Sequence, residues 1–201
     1  LVHEVTGGGW AVLDWSPDDS KLLIREGLSI NDSKLYILDL KTGTRTITGP
    51  ISKKELISNG SAKFSKDGKY YYFTTDFESE FSRLARWDLA TNKMQVITTN
   101  INWDVAGFDM KEDGSKIIFT VNEAGLTKVF LLETTNLTYK PIPSLPEGLI
   151  GSINWRRNSD EFVFGYSSAR NNSDIYTHDL ATGKTERWTE SELGGINATN
   201  L

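Results

Sequence analysis

Charged side chains that could recognise a ligand are concentrated in one short segment of the sequence. Asp76, Glu78, Glu80 and Arg83 lie close together there, and Arg170 lies in a second polar segment. Carboxylates accept charge-assisted hydrogen bonds from amino groups, and the guanidinium group of arginine donates paired hydrogen bonds to a carboxylate. These residues are therefore candidates for binding a small polar ligand.

Two other interpretations of the same segment are open. Paired carboxylates such as Glu78 and Glu80 can hydrolyse a glycosidic bond, but two loop residues two positions apart fix no catalytic geometry. Alternatively, Glu78 and Arg83 are solvated loop charges that contact no substrate. They could also pair with each other, and such pairs contribute little to stability.

The common catalytic arrangements are missing from the sequence. No Gly-x-Ser-x-Gly element occurs, on which an α/β-hydrolase would present its nucleophile, and the histidines are His3 and His178 alone. Since His178 lies beside a turn sequence, we expect it to be a structural strand residue. The absence of cysteine excludes thiolate catalysis and thiolate metal sites. We therefore predict no catalytic residue, no metal and no cofactor in this chain.

The overall composition excludes several classes of protein. The 201 residues include 22 Lys and Arg against 27 Asp and Glu, which gives a net charge of −5. This balance argues against a nucleic-acid partner, because binding to phosphates requires an excess of basic residues. No apolar run approaches the roughly 20 residues of a transmembrane helix, so no membrane partner is expected.

A repeat of about 45 residues, a length typical of propeller blades, sets the organisation of the chain. One marker is a turn sequence that follows an aromatic or apolar anchor, with spacings of 49, 46 and 45 residues. Its anchors are Trp15, Phe64, Met110 and Trp155. A second marker, typified by Asp-Leu-x-Thr-Gly, keeps the same phase at Asp39, Asp88, Glu133 and Asp179. Two markers in phase over four copies indicate four equivalent structural units.

Each copy is predicted to form four short strands. In the first copy these are 10–15, 21–25, 34–40 and 45–48, separated by Pro, Asp and Gly turn residues. The fold predicted is an all-β propeller of four-stranded antiparallel blades, with about four blades present and the rest of a larger ring outside the chain. We expect Trp15, Phe64 and Trp155 to pack between blades.

The turn and loop sequences resemble a known family. Asp-Gly-Lys turns paired with Asp-Leu-x-Thr-Gly turns resemble the WD-like, Asp-rich blades of TolB and of prolyl-oligopeptidase-family serine peptidases. Further segments are similar to the propeller of the dipeptidyl-peptidase and acylaminoacyl-peptidase branch, and they are spread over most of the chain: 7–18, 29–31, 75–84, 103–104, 167–170 and 187–192. The chain thus resembles the C-terminal half of such a propeller domain.

The resemblance implies a function that the chain would serve without catalysis of its own. In that family a ring of about seven blades caps an α/β-hydrolase domain that follows it in sequence. The implied role is to cap the hydrolase active site and to gate or select short peptides. The partners implied are the hydrolase domain of the same parent chain and short peptides. The location stays open, and the absence of cysteine is compatible with the bacterial cytoplasm or periplasm. The alternative is a TolB-like protein-binding scaffold with no enzymatic domain.

The resemblance and the repeat together suggest a division of the chain. Blades are expected over 10–50, 51–100, 101–146 and 147–190. The outer strand and crossing loop of a preceding blade are expected over 1–9, and an exit segment toward the hydrolase domain over 191–201. Exposed blade faces would favour self-association of the isolated chain.

The connections between the second and third strands should lie at the same end of each blade as the crossings to the next blade. Loops on a rigid sheet are common recognition sites, and in the family these loops shape the substrate cavity. The substrate-gating or binding candidates are Asp76, Glu78, Glu80, Arg83, Arg170, Trp10, Trp103 and Asp104.

Overall fold

The computed structural model describes residues 3–192, 194 and 195, and within them it contains sixteen β-strands and no helix. They form four antiparallel four-stranded sheets in which each strand pairs with its neighbours in sequence. This architecture confirms the prediction of four-stranded propeller blades and is consistent with four blades of a larger β-propeller. The chain divides into two compact units between Val105 and Ala106.

The first unit contains the first two sheets. The strands of the first sheet are β1 (Trp10–Trp15), β2 (Lys21–Ser29), β3 (Asp32–Asp39) and β4 (Arg45–Thr48). Those of the second sheet are β5 (Asn59–Phe64), β6 (Tyr70–Thr75), β7 (Arg83–Asp88) and β8 (Lys93–Val96). The predicted bounds of β1 and β4 are confirmed. β2 extends four residues beyond its prediction and β3 covers 32–39 rather than 34–40, because the two strands pair as far as Ser29 and Asp32.

The second unit contains the other two sheets. The strands of the third sheet are β9 (Val105–Met110), β10 (Lys116–Glu123), β11 (Leu126–Glu133) and β12 (Thr138–Pro141). Those of the fourth sheet are β13 (Leu149–Trp155), β14 (Glu161–Ser168), β15 (Asn171–Asp179) and β16 (Thr185–Arg187). Residues 3–9, where a strand of a preceding blade was predicted, contain no strand, and the blade boundaries themselves stay predictions.

Aromatic side chains fill the space between the two sheets of the first unit. Since side chains alternate along a strand, Tyr71 and Phe73 of β6 lie on one face, and both are fully buried. The ring centroids of Tyr71 and Phe73 are 5.3 Å apart, and Trp87 stacks on Tyr71 at 6.4 Å. Leu23 and Leu35 of the first sheet pack against this layer.

A similar layer fills the space between the two sheets of the second unit. Phe162 and Phe164 of β14 are fully buried and pack with Ile118 and Leu131 of the third sheet. His178 lies beside them, with its ring 5.4 Å from Phe162 and its Nδ1 2.8 Å from the Thr185 hydroxyl. Burial lowers the pKa of His178, so the ring is neutral near pH 7. This is the structural strand position that the sequence predicts.

An aspartate on the first strand of a sheet bonds to the first strand of the next sheet in both units. The Asp14 carboxylate accepts a hydrogen bond from the Phe64 backbone N–H at 2.8 Å, and that of Asp109 accepts one from the Trp155 N–H at 2.9 Å. Both aspartates immediately precede a repeat anchor. The same hydrogen bond between adjacent sheets therefore recurs at the same position of the repeat in both units.

The anchors themselves differ in burial. Phe64 is buried in the aromatic layer, and Trp155 packs against the core between the third and fourth sheets and donates its indole N–H to the Asp109 carbonyl of the third sheet at 3.2 Å, as predicted. Trp15 differs, because 54% of it is exposed, and its packing between blades stays a prediction. It pairs with Leu22 and so lies on the face of the first sheet opposite to Leu23 and the aromatic layer.

Aspartates close the turns between the third and fourth strands of three sheets. The carboxylates of Asp39, Asp88 and Asp179 each accept hydrogen bonds from the backbone N–H groups two and three residues later, at 2.8–3.0 Å. These bonds, chiefly that from the third residue on, hold the pKa of each aspartate below its ordinary value. Turn chemistry thus accounts for the second repeat marker.

We expect replacement of these three aspartates by asparagine to flatten the acid dependence of stability. Because their pKa values are lower in the folded state, their contribution is present above about pH 4 and is lost as the pH falls through the folded pKa values. Asparagine keeps the acceptor oxygen but does not titrate. Urea unfolding at pH 7 and pH 3 measures the loss for the Asp39→Asn, Asp88→Asn, Asp179→Asn variant and for the native chain.

The matched control changes three exposed glutamates whose side chains make no hydrogen bond with the described residues: Glu55→Gln, Glu112→Gln and Glu123→Gln. The control should retain the native pH dependence. Equal losses in the asparagine variant and the native chain would contradict the role given to the turn aspartates.

The aromatic layer of the first unit predicts a large local cost for truncation. Phe73→Ala removes a fully buried ring and should destabilise that unit by about 3–5 kcal/mol. Ile30→Ala is the control, since Ile30 is 92% exposed in the turn between β2 and β3 and its truncation should change the free energy of unfolding by less than about 0.5 kcal/mol. Urea unfolding followed by tryptophan fluorescence compares them, and similar costs would disprove the packing assignment.

Candidate functional site

The connections between second and third strands are tied to the crossing segments between sheets. In the first unit the Ser33 N–H bonds to the Ile57 carbonyl at 2.8 Å, and the Ser82 N–H bonds to the Asp104 carboxylate at 2.8 Å. In the second unit the Thr127 N–H bonds to the Gly148 carbonyl at 2.9 Å. Within each unit, loops and crossings therefore meet at one end of the sheets, as predicted.

The predicted acidic segment forms the loop between β6 and β7. The Asp76 carboxylate accepts a hydrogen bond of 2.7 Å from the Ser58 N–H, so Asp76 anchors the loop to the segment that enters β5. Glu78, with a φ of 54°, and Glu80 are exposed. Neither glutamate has a hydrogen-bond or ion-pair partner through its side chain among the described residues. These two carboxylates are available to a ligand.

Arg83 is held by neutral groups of its own sheet. Its Nε donates to the Ser79 hydroxyl at 3.0 Å, its Nη1 donates to the Thr98 carbonyl at 2.9 Å, and its guanidinium lies 5.4 Å from the Phe81 ring. Arg83 therefore does not pair with Glu78, whereas the exposure of Glu78 is compatible with the interpretation of a solvated loop charge. Serine and carbonyl acceptors within the fold satisfy the arginine, which leaves the glutamates free.

The predicted pair Trp103 and Asp104 lies next to this loop. Asp104 receives the hydrogen bond from the Ser82 N–H, and the following residue, Val105, donates its N–H to the Ser82 carbonyl. The loop and the crossing are thereby joined at two points. Trp103 is 41% exposed beside this junction, which leaves an aromatic surface accessible at the same end of the sheet.

Trp10 belongs to a separate cluster on the first sheet. The Arg45 guanidinium lies 4.6 Å from the Trp10 ring and 4.9 Å from the Tyr36 ring, a cation–π arrangement. Burial and the hydrogen bond to Glu26, of 2.6 Å, raise the pKa of Tyr36 to about 12. The backbone approaches closely here, since a Cβ on Gly9 would lie 2.3 Å from the Gly27 carbonyl oxygen.

Arg170 lines a cleft in the second unit. The cleft has a volume of about 680 Å³, and its other main lining residues are Leu126, Glu147, Gly148, Leu149 and Tyr166. The Tyr166 hydroxyl donates to the Glu147 carbonyl at 2.9 Å. Glycine is required at position 148, because a Cβ there would lie 2.5 Å from the Ser167 oxygen and 2.6 Å from the Tyr166 ring.

The sequence reasoning singled out Arg170 but missed its neighbours in the cleft. Glu147 and Gly148 lie in a crossing segment, at the same phase of the repeat as Trp103 and Asp104. Their position in the repeat could therefore have indicated Glu147 and Gly148 as site residues. Tyr166 gave no such signal, because an aromatic residue in a strand is usually a core residue.

A buried carboxylate fixes the segment that leaves the last strand. Asp174 is 1% exposed and accepts hydrogen bonds from the Arg187 guanidinium at 2.6 Å, the Thr189 hydroxyl at 2.9 Å and the Ser191 N–H at 2.8 Å. Burial alone would raise the pKa of Asp174, but the bonds from Thr189, Ser191 and Arg187 outweigh it and lower that pKa to about 2. The carboxylate is therefore ionised at all physiological pH values.

Replacing Asp174 should release this exit segment. In Asp174→Ala the Ser191 N–H loses its acceptor, so its amide hydrogen should exchange about tenfold faster or more. Hydrogen exchange read by NMR at Ser191 measures this. Asp179→Ala is the control, because Asp179 bonds to a turn at the other end of β15. An unchanged Ser191 rate in Asp174→Ala would refute the proposed anchoring.

Among the described residues there is neither a cluster of metal-ligating side chains nor a membrane-spanning helix. No group of three or more His, Asp or Glu side chains among them could hold a metal ion. Across the part of the chain that the structure describes, no helix is long and apolar enough to cross a membrane. Glu78 and Glu80, considered for glycoside hydrolysis, lie exposed on an open loop rather than in the apolar pocket that a general acid requires.

Solved structures with the same fold come from proteins of several activities. A puromycin-hydrolyzing peptidase from Mycobacterium tuberculosis superposes with a TM-score of 0.79 at 13% identity, covering 97% of this chain and 32% of its own. TolB from Acinetobacter baumannii gives 0.69 at 20% identity, with 92% and 44% covered. An oligogalacturonate lyase from Vibrio parahaemolyticus gives 0.68 at 14% identity, with 90% and 52% covered.

These similarities show the fold alone, and the chain spans about a third to a half of each structure. No curated protein matches the sequence. The sequence does match the family described as the N-terminal β-propeller domain of prolyl oligopeptidase, over residues 2–191. That match covers nearly the whole chain, and the chain therefore belongs to the prolyl oligopeptidase N-terminal β-propeller family.

Proposed function

We propose that this chain is a non-catalytic propeller segment that caps the active site of an α/β-hydrolase domain in the same protein and selects short peptide substrates. The observation that carries the proposal is the family match over residues 2–191. In this family the propeller domain normally joins a hydrolase domain in the same chain. The sequence has no Gly-x-Ser-x-Gly element, so the nucleophile would come from that domain.

The unpaired charges at the loop end supply the chemistry for selection. Glu78 and Glu80 have no partner among the described residues, and they suit the free amino end of a peptide. Arg170, likewise unpaired in the described part of the chain, suits a carboxylate or a peptide carbonyl. Under a cap that excludes water these interactions become stronger, because the local dielectric constant falls.

Exposed apolar side chains support the larger ring that the proposal requires. Val12 and Trp15 are more than half exposed on the first sheet, on the face opposite to its aromatic layer. On the fourth sheet Ile175 and Trp188 are exposed on the face opposite to Phe164. Such faces suit packing against further blades, or against a second copy of the isolated chain. The divisions at 10–50, 51–100, 101–146 and 147–190 belong to this proposal.

The exit segment 191–201 is the proposed route to the hydrolase domain. The anchoring of Thr189 and Ser191 by Asp174 supports this, since a connection between domains needs a fixed point of departure. Residues 193 and 196–201 lie outside the described residues.

A TolB-like binding scaffold is the second candidate, because TolB from Acinetobacter baumannii shares the fold over 92% of this chain. This candidate predicts that the whole protein hydrolyses neither esters nor peptides. Detectable hydrolysis by the whole protein, abolished by a serine-directed inhibitor, would rule out the scaffold function. If the whole protein showed no hydrolysis of esters or peptides, the peptidase-cap function would be ruled out instead.

The gating role predicts a substrate-dependent effect of the loop carboxylates. In the whole protein, Glu78→Lys combined with Glu80→Lys should lower kcat/KM about tenfold for a tripeptide anilide with a free amino terminus. The rate for p-nitrophenyl acetate should not change, since a small ester needs no contact with the loop. The N-acetylated tripeptide anilide should be affected less than the free form.

Glu112→Lys is the matched control. Glu112 is exposed in the turn between β9 and β10, which lies at the opposite end of its sheet from the second-to-third-strand turn. It should leave all three rates unchanged. If the double variant lowered ester and peptide rates equally, or if the control had the same effect, the gating role would be wrong.

A further inference from the structure

The cleft in the second unit contains two opposite charges that the fold does not use. Arg170 bonds to Ser168 through its backbone N–H, and Glu147 accepts the Tyr166 hydroxyl through its backbone carbonyl. Neither side chain has a hydrogen-bond or ion-pair partner among the described residues, and the two do not pair with each other. Both line the same cleft. A guanidinium and a carboxylate are thus left available to an occupant.

The surface between these charges is apolar. Leu126 is 38% exposed and Leu149 is 53% exposed, and the Tyr166 ring completes this part of the lining. Singly exposed leucines are common on proteins, but here two of them share one concave surface. The volume of about 680 Å³ lies within the range of small-molecule sites.

The backbone around the cleft is held in place before any ligand arrives. The Thr127 N–H bonds to the Gly148 carbonyl at 2.9 Å, and the Ile150 N–H bonds to the Thr127 hydroxyl at 3.0 Å. The Tyr166 hydroxyl fixes the Glu147 carbonyl at 2.9 Å. A preformed site loses less conformational entropy on binding, which favours recognition of a small ligand.

We infer that this cleft binds a short unblocked peptide, with its carboxylate on Arg170, its ammonium group on Glu147 and an apolar side chain against Leu126 and Leu149. The complementary ligand has an apolar body and one charge of each sign, which an unblocked di- or tripeptide provides. The complementarity is a property of the cleft, whereas naming the ligand a peptide rests on the proposed function. The site lies apart in sequence from the acidic loop at 76–83.

Calorimetric titration of the 201-residue chain with three probes tests the inference. The probes are the tripeptide Leu-Gly-Leu, its C-terminal amide and its N-acetyl form. Each blocked form should bind about tenfold more weakly than the free tripeptide, because each loses one charge-assisted interaction. Far-UV circular dichroism verifies that every variant retains the β-structure.

The variants should separate the two ends of the ligand. Arg170→Ala should abolish the preference for the free acid over the amide and keep the preference for the free amine. Glu147→Gln should do the reverse. Arg157→Ala is the matched control, since Arg157 is an exposed arginine in the turn between β13 and β14, without a side-chain partner among the described residues. It should keep both preferences.

Two results would overturn the inference. One is no heat of binding for Leu-Gly-Leu at concentrations up to about 10 mM, which corresponds to less than about 3 kcal/mol of binding free energy. The other is an Arg170→Ala variant that still prefers the free acid. Neither result depends on a hydrolase domain, so the peptide site and the gating role can fail independently.

Discussion

The contact between facing sheets is the constraint on which the rest of this structure depends. In each unit two four-stranded sheets bury aromatic rings between them, including Tyr71 and Phe73 in the first unit and Phe162 and Phe164 in the second. Because successive side chains of a strand point to opposite faces of the sheet, only every second residue can take part in this contact. A shift of one residue in any strand would turn these rings to the other face of the sheet, so the packing also fixes the register.

In addition to that packing, hydrogen bonds between sheets hold the loops in defined positions. Asp14 and Asp109 each bond to the first strand of the following sheet, and Ser33 and Thr127 each bond to a crossing segment. In each unit the loops that carry recognition candidates are therefore fixed at one end of rigid sheets. A ligand that binds there meets backbone that these hydrogen bonds already hold in place.

The charged residues at this end fall into two groups with different physical roles. Asp76, Asp104 and Asp174 accept hydrogen bonds from the backbone and thereby hold loops and the exit segment in place. Glu78, Glu80, Glu147 and Arg170 have no partner for their side chains among the described residues, and these are the groups available to a ligand. The carboxylates divide by residue type, since the anchoring ones are aspartates, whose short side chains bond readily to backbone N–H groups, and the unpaired ones are glutamates.

The sequence by itself determined the repeat, the turns and most of the strands. These features depend on local chemistry: Asp39, Asp88 and Asp179 each lie within three residues of the backbone N–H groups they bind, and β1 and β4 match their predicted bounds. Only the tertiary structure decided that Arg83 binds Thr98 rather than Glu78, that Trp15 is exposed, and that Glu147 and Arg170 line one cleft. Each of these outcomes depends on residues that are far apart in sequence. Their spacing along the chain does not determine how close together they lie after folding.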